Sequence, residues 1–418
     1  MTDLMPIREA QLSILSVTKE MKTESCVPEE AYGRVLAEEI RSPLRLPPFA
    51  NSSMDGFAVH STELSGASPT SAVRLPVVMD IPAGFSQEYT LPLGNAARIL
   101  TGAPLPHGAD AVIPVEDTDQ YSSLREETLP ETVACFASVK PGANCRPAGE
   151  DVELGQVVLS KGRPLQPQDI GLLVSLGIRQ VQVVKKARIA LFSSGDELLT
   201  PDQPLTAGKI YDSNHYVLKG LLESEGAEVM HLGIARDNPQ CVIETLDKAL
   251  ENPPDLIISS AGVSVGVFDY VQQVIAQQGN LSFWRVNMRP GKPVAFGDYK
   301  GIPFLGVPGN PVSAYIGCLI FALPLIRQLH GQSPFAQKSI KAVLTEPLKS
   351  PDGRESFYRG VLENKNGVIM ASLAGHQGSG NLFSLIQANA LLIVPAGVKL
   401  IPAGDVVTAW PLETVLDI

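Results

Sequence analysis

The chain opens on a helical pattern. Ile7, Ala10, Ile14, Val17 and Met21 fall on one stripe, which predicts an amphipathic helix with a single buried face. A second short helix is expected around residues 29–39. From Pro43 to about Asp151 the texture changes, with prolines and glycines separating short β-type runs such as 73–79 and 111–115. That texture predicts a compact, largely β module joined by turns. Residues 166–176 return to helix, with Pro167 suited to the first turn and Gly177 to the stop.

A regular alternation follows. Strands are expected at 188–193, 228–234, 255–259, 281–287 and 302–307, and helices at 213–225, after Asn238-Pro239, at 268–278 and from Asn310. Asp212 or Ser213 should cap the first of these helices, and Val242, Leu246 and Leu250 should line one face of the second. Strands and helices in turn predict a parallel, doubly wound α/β sheet over about 185–332. From about Pro334 the chain reverts to strands, with Asn366-Gly367 as a hairpin signal, and a small β-barrel or sandwich is expected.

Composition narrows the class. The 418 residues are 44% hydrophobic and 18% charged, with 36 Gly and 34 Pro, as in a turn-rich globular chain of two to four domains. A formal charge of −11 argues against a broad nucleic-acid-binding face. The five cysteines are scattered and form no C-x-x-C pair, which suits a reducing compartment. No secretory pattern opens the chain, and the longest apolar run, 314–326, is broken by Pro324 and short of the ~20 residues that span a bilayer. A cytoplasmic protein without a membrane partner is expected.

In a doubly wound sheet ligands sit beyond the carboxyl ends of the strands, and the unusual loops of this chain fall there. Residues 259–266 (Ser-Ser-Ala-Gly-Val-Ser-Val-Gly) bring hydroxyls and two glycines to a strand end, suiting an anion-binding loop as well as a plain βα turn. Glu197, Asp237 and Asp269 lie at the same edge. Glu197 and Asp237 could each serve as a helix cap, whereas Asp269 is expected past a helix start where capping explains it poorly; together the three could hold a hard cation such as Mg²⁺ beside a phosphate. Arg285, Arg289 and Lys292 form a basic cluster stiffened by Pro290, Gly291 and Pro293, a candidate anion clamp in an acidic chain. Arg359 and the Ser379 loop could form a second oxyanion site. In the β module, Asp55-Gly56 reads locally as a hairpin turn, and Arg146 near Glu150 and Asp151 as a solvated loop. The histidines show neither metal-ligand spacing nor pairing with a nucleophile.

Five motifs in one order carry a resemblance: residues 51–56 (Asn-Ser-Ser-Met-Asp-Gly), 101–104 (Thr-Gly-Ala-Pro), 259–266, 289–293 (Arg-Pro-Gly-Lys-Pro) and 308–313 (Pro-Gly-Asn-Pro-Val-Ser). Together the chain resembles the molybdopterin molybdenumtransferase (MoeA and gephyrin E-domain) family over nearly its whole length. The resemblance implies a multidomain α/β plus β homodimer. Its linker domain would comprise two segments, 1–45 and 153–184, with an inserted β-rich domain at 46–152. The doubly wound α/β molybdopterin-binding domain would follow at 185–332 and a C-terminal β-barrel at 333–418.

It further implies transfer of molybdenum from molybdate into adenylylated molybdopterin, with Mg²⁺ and release of AMP, in a cleft completed by a second subunit. A molybdopterin adenylyltransferase is the implied partner enzyme. By motif, Glu197, Asp237 and Asp269 resemble the metal- and nucleotide-handling acids, and Ser259, Ser260, Gly262, Ser264 and Gly266 the pterin-phosphate loop. Arg289, Lys292, Pro308, Pro311, Ser313, Arg359 and Ser379 resemble the molybdate and substrate-anion contacts. Asp55, Thr101, Arg146 and Asp151 resemble the contribution of the second subunit.

Two positions depart from the family pattern: Ala261 replaces the first glycine of Gly-Gly, and Arg289 the first lysine of Lys-Pro-Gly-Lys-Pro. A receptor scaffold of the gephyrin type would need an added domain and linker, for which 418 residues leave no room. A lone adenylyltransferase would leave 46–152 and 333–418 without a purpose.

Overall fold

The computed structural model describes residues 4–17, 21–122, 128–262, 269–335 and 337–412. These fall into two compact units: residues 1–37, 162–166 and 180–418 form the first, and residues 38–161 and 167–179 the second.

In the first unit, helix α1 (Ile7–Leu15) buries Ile7, Ala10 and Ile14, as the stripe predicts. It ends two residues before Val17, which is exposed, while Met21 rejoins the same core. The helix expected at 29–39 is only a 3-10 turn, Pro28–Glu30. Gly33 turns the chain at φ +73, and the backbone N–H groups of Gly33, Leu36 and Ala37 then bond to Leu165, Arg163 and Gln182. Extended pairing satisfies these donors across the unit, so the local helical pattern loses to it.

The α/β region contains β1 (Arg188–Ser194), α2 (Ser213–Ser224), β2 (Glu228–Ala235), α3 (Pro239–Glu251), β3 (Leu256–Ser260), α4 (Tyr270–Gln278), β4 (Gly279–Trp284), β5 (Ala295–Tyr299) and β6 (Ile302–Val307). The sheet order is β2-β1-β3-β6-β5-β4, and β2, β1, β3 and β6 run parallel. The expected strand at 281–287 begins and ends earlier, as β4, and β5 had no counterpart in the pattern. Lys300 (φ +50) and Gly301 (φ +84) fold β5 back on β6 as a tight hairpin, so β5 and β4 form an antiparallel edge on a parallel core.

Capping follows the sequence. Asp212 accepts a hydrogen bond from the His215 N–H and Asn238 one from the Cys241 N–H, each satisfying a donor at a helix start. On α3, Val242, Leu246 and Ala249 are fully buried, Val and Leu contributing about 1.5–3 kcal/mol each. Pro311–Leu329 is one helical rod, 83% buried, long and apolar enough to cross a membrane but serving as the core of this unit. It loosens into a π turn at Cys318–Ala322 just before Pro324. The wider turn accommodates a residue that lacks an N–H, so the rod continues past the proline.

The C-terminal strands Ile340–Leu344, Glu355–Lys365, Val368–Leu373, Ala390–Val394 and Val406–Pro411 close on themselves as a barrel. Asn366 (φ +56) and Gly367 (φ +83) make its hairpin, as expected. Met288–Arg289 pairs in parallel with the start of the Glu355–Lys365 strand, tying the α/β region to the barrel.

The second unit holds a five-stranded sheet in the order Ala111–Pro114, Gly56–Val59, Ala96–Ile99, Val73–Ile81, Thr132–Cys135, with an apolar cluster on each face. Its helix, Pro167–Ser175, stops near Gly177 (φ +67).

Candidate functional site

Parallel register brings Ser193 of β1, Ser260 of β3 and Val307 of β6 abreast at the carboxyl ends of the strands. The Ala261 N–H bonds to the Val307 carbonyl (3.0 Å), carrying the sheet one step into the loop. Two adjoining cavities open there, and both are lined by Pro293, Pro308 and Asn310.

The first cavity, about 520 Å³, is acidic and polar. Glu197, Asp212 and Asp269 line it with Ser194, Ser260, Ala261, Gly262 and Pro311. Its floor holds two consecutive residues of positive φ, Ala261 (+76) and Gly262 (+73). Glycine tolerates that geometry, whereas alanine is strained in it by about 1–2 kcal/mol. The Ala261 methyl also crowds Gly309, where an added Cβ would stand 3.0 Å from it.

The second cavity, about 430 Å³, is basic. Arg289, Lys292, Arg354 and Arg359 line it with Ser313, Gln377 and Ser379. Arg359 is 1% exposed and is held by its surroundings: Nε donates to Ser384 Oγ (3.0 Å) and Nη2 to the carbonyls of Gly378 (3.1 Å) and His376 (3.4 Å). Gln377 clamps its backbone, accepting from the Arg359 N–H (2.9 Å) and donating to the Arg359 carbonyl (3.0 Å). Among the described residues no carboxylate pairs with Arg359, and burial pulls its pKa down to about 10. Half-buried Lys292 likewise pairs with no carboxylate among the described residues. Asn310 Nδ2 donates to Ser379 Oγ (3.0 Å), and the Val312 N–H bonds to the Ser379 carbonyl (3.1 Å). These bonds latch the barrel loop to the start of the long helix.

Of the residues singled out from the sequence, the structure brings Glu197, Asp269, Ser260, Gly262 and Pro311 to the acidic cavity. Arg289, Lys292, Ser313, Arg359 and Ser379 come to the basic one, and Pro308 to both. Asp237 lines neither. Its carboxylate accepts from Ser194 Oγ (3.2 Å) and the Asp196 N–H (3.2 Å), fixing the loop that carries Glu197. Ser259 is fully buried in β3, and Ser264 and Gly266 lie outside the described residues. Arg285 leaves the basic cluster: its guanidinium stacks on Trp284, 4.1 Å from the ring. Among the described residues no three His, Cys, Asp or Glu groups gather as a metal cage.

In the second unit, Asp55 Oδ1 accepts from both the N–H and the Oγ1 of Thr101, each at 2.7 Å. Asp55-Gly56 is not a hairpin turn, because Asn51–Ser52 pairs with Cys145–Arg146 while Gly56–Val59 pairs with other strands. Arg146 is spent on its neighbours, Nε on Glu150 (2.8 Å) and Nη2 on Asp151 (2.7 Å), and all three are exposed or half-buried.

Sequence reasoning missed Asn214, Gln377 and Arg354, and read Asp212 only as a cap. Asn214 is the second residue of α2, and its Nδ2 donates to Ser260 Oγ and to the Gly309 carbonyl, both at 2.7 Å. Its signal was present in Asp212-Ser213-Asn214, where capping residues and cavity lining coincide.

Comparisons with known proteins agree along the chain. Residues 5–177 match the MoeA N-terminal region (domain I and II), residues 190–328 a probable molybdopterin binding domain, and residues 341–412 the MoeA C-terminal region (domain IV). The molybdopterin molybdenumtransferase of a Nostoc species is 38% identical, over 90% of this chain and 85% of that one. That of Haemophilus influenzae is 37% identical over 94% and 95%. The crystal structure of a molybdopterin biosynthesis MoeA protein from Pyrococcus horikoshii superposes with a TM-score of 0.81 at 30% identity, covering 98% of this chain and 100% of that one. With relatives this similar across nearly all its length, the chain belongs to the molybdopterin molybdenumtransferase family, transferases of molybdenum cofactor biosynthesis.

Proposed function

We propose that this protein inserts molybdenum from molybdate into adenylylated molybdopterin and releases AMP. The observation that carries the proposal is the charge of Arg359, buried with no carboxylate partner among the described residues and beside a half-buried Lys292. A buried cation with no counter-ion is costly, and a tetrahedral dianion would supply the missing charge. The Ser313 and Ser379 hydroxyls are available to hydrogen-bond its oxygens.

The adjoining acidic cavity would take the phosphates. Two of its three carboxylates, Glu197 and Asp269, suit Mg²⁺, which accepts one or two carboxylates and completes its shell with substrate phosphate oxygens and water, while Asp212 caps α2. When bound, the ion would neutralise charge on the phosphoanhydride. Ser260 and the Ala261-Gly262 backbone would position the phosphate, and the shared wall of Pro293, Pro308 and Asn310 would keep the two anions adjacent.

Asp55 and Thr101 are assigned to the same reaction from the second copy of a homodimer, and a molybdopterin adenylyltransferase would supply the substrate. A reducing cytoplasm suits the dithiolene product and the five free cysteines. The test is anaerobic incubation of the purified protein with adenylylated molybdopterin, molybdate and Mg²⁺. AMP release that depends on molybdate is expected. No release, or release unchanged in Lys292→Ala, overturns the proposal, and a monomer by light scattering removes the shared site.

A further inference from the structure

We infer that Arg354 is a further oxyanion-binding residue of the basic cavity, held in place by Asp352 and the Met288 carbonyl. It rests on the reading of that cavity as the oxyanion site.

Arg354 lines the cavity alongside Arg289, Lys292 and Arg359. Its side chain is 24% exposed and is braced on two sides. Nε donates to Asp352 Oδ2 at 2.7 Å and Nη2 donates to the same carboxylate, while Nη1 donates to the Met288 carbonyl at 3.2 Å. A guanidinium carries five N–H groups, so these three bonds leave one hydrogen on Nη1 and one on Nη2. Two N–H groups at the head of a planar fork suit two oxygens of a tetrahedral anion.

The backbone beneath is fixed as firmly. The hydroxyls of Ser350 (2.9 Å) and Ser356 (3.0 Å), both buried, donate to the Arg354 carbonyl, and the Arg354 N–H reaches Asp352 Oδ1 at 3.4 Å. The Asp352 carboxylate therefore grips both the main chain and the side chain of Arg354. The guanidinium turns away from the barrel core, toward the Met288–Arg289 strand that borders the cavity. A side chain restrained on two sides, on a backbone that is itself held, loses little entropy on meeting a ligand.

Charge arithmetic supports the same conclusion. Asp352 lies 4.0 Å from Arg289 Nη1 as well, so one carboxylate serves two of the four cations that line the cavity. The local balance stays strongly positive in a chain whose net charge is −11. Arg289 and Lys292 arrive from the α/β region and Arg354 and Arg359 from the barrel, so an anion bound among them would be clamped from both sides.

The test uses the full chain and inorganic molybdate alone, by equilibrium dialysis, with melting curves as the check on folding. Arg354→Gln should weaken molybdate binding about tenfold or more while the protein still melts cooperatively. Arg354→Lys keeps the charge but cannot hold Asp352, Met288 and the anion together, and should recover only part of the loss. Affinity within twofold of the parent in either variant overturns the inference and leaves the proposed function standing. Failure of the parent to bind molybdate overturns both.

Discussion

Thr101 Oγ1 lies 2.7 Å from Asp55 Oδ1, and the Thr101 N–H meets the same oxygen at 2.7 Å. The two residues are far apart in sequence and exposed, so the double bond does little for the core. It orients a carboxylate at the surface, leaving Oδ2 for another group. Thr101→Val should therefore cost only about 0.5–1.5 kcal/mol of stability. Under the proposed function, it and Asp55→Asn should each lower AMP release at least tenfold. Calorimetry and the AMP assay on the same preparations separate the two effects. Full activity in both variants would remove these residues from the reaction.

The Asp55–Thr101 pair also marks how far the sequence could be read. Locally, Asp55-Gly56 is a strong hairpin signal, yet the strands on either side pair elsewhere, and only tertiary structure decides that. The alternation of strands and helices from 188 onward was legible because each buried run was bounded by a capping residue or a glycine. Strand β5 was not, since Lys300-Gly301 is a weaker turn signal than the Asn366-Gly367 that announced the barrel hairpin. The loop acids and basic motifs could be placed at one sheet edge from topology alone. That Asp237 instead holds the Ser194–Glu197 loop, and that Arg354 joins the cavity, depends on side-chain geometry no spacing encodes.

Ala261 occupies a left-handed position, φ +76. Ala261→Gly removes strain of about 1–2 kcal/mol but adds about 0.4–1 kcal/mol of unfolded-chain entropy. The variant should be as stable as the parent or up to about 1.6 kcal/mol more stable in denaturant titrations. A clear loss of stability would mean that the methyl contact with Gly309 outweighs the backbone strain.

The same contact makes a paired prediction. A Cβ on Gly309 would stand 3.0 Å from the Ala261 methyl, so Gly309→Ala should destabilise the loop, and Ala261→Gly should rescue it. Gly262→Ala should not be rescued this way. Its Cβ would strike Val271, 2.8 Å from the Val271 Cβ, at φ +73, costing about 2–5 kcal/mol. A double-mutant cycle by chemical denaturation distinguishes the two.

Three histidines should set the acid side of the stability profile. His215 and His231 stack at 3.6 Å, and burial lowers both pKa values, with the neighbouring imidazolium charge adding to the shift at His215. His330 is lowered mainly by burial too, and its Nε2 accepts from the buried Ala187 N–H, which requires a neutral ring. Depressed values mean that the unfolded chain binds these protons first as pH falls. Stability is then complete above the ordinary imidazole value of 6.5 and declines below it, toward the lowered folded values. Melting temperature should fall between neutral pH and about pH 5. His231→Gln should flatten that fall, and an unchanged slope would assign it to other groups.

Arg359 offers the sharpest separation of stability from function. Its guanidinium is buried on Ser384 and two carbonyls, with no carboxylate among the described residues, and its depressed pKa registers the cost of that burial. Replacing a buried, uncompensated cation with an apolar side chain of similar length often stabilises a fold. The Gly378 carbonyl borders the cavity, where water can satisfy it, and the His376 carbonyl keeps its bond from Asn381 Nδ2. Arg359→Met should therefore melt no lower than the parent. The parent itself should melt higher with saturating molybdate, by about 2.7 kcal/mol of added stability at a hundredfold excess over Kd. Arg359→Met should show no such rise and no AMP release. If molybdate stabilised the variant as much as the parent, the anion would have to be held elsewhere, and the charge of Arg359 would be structural.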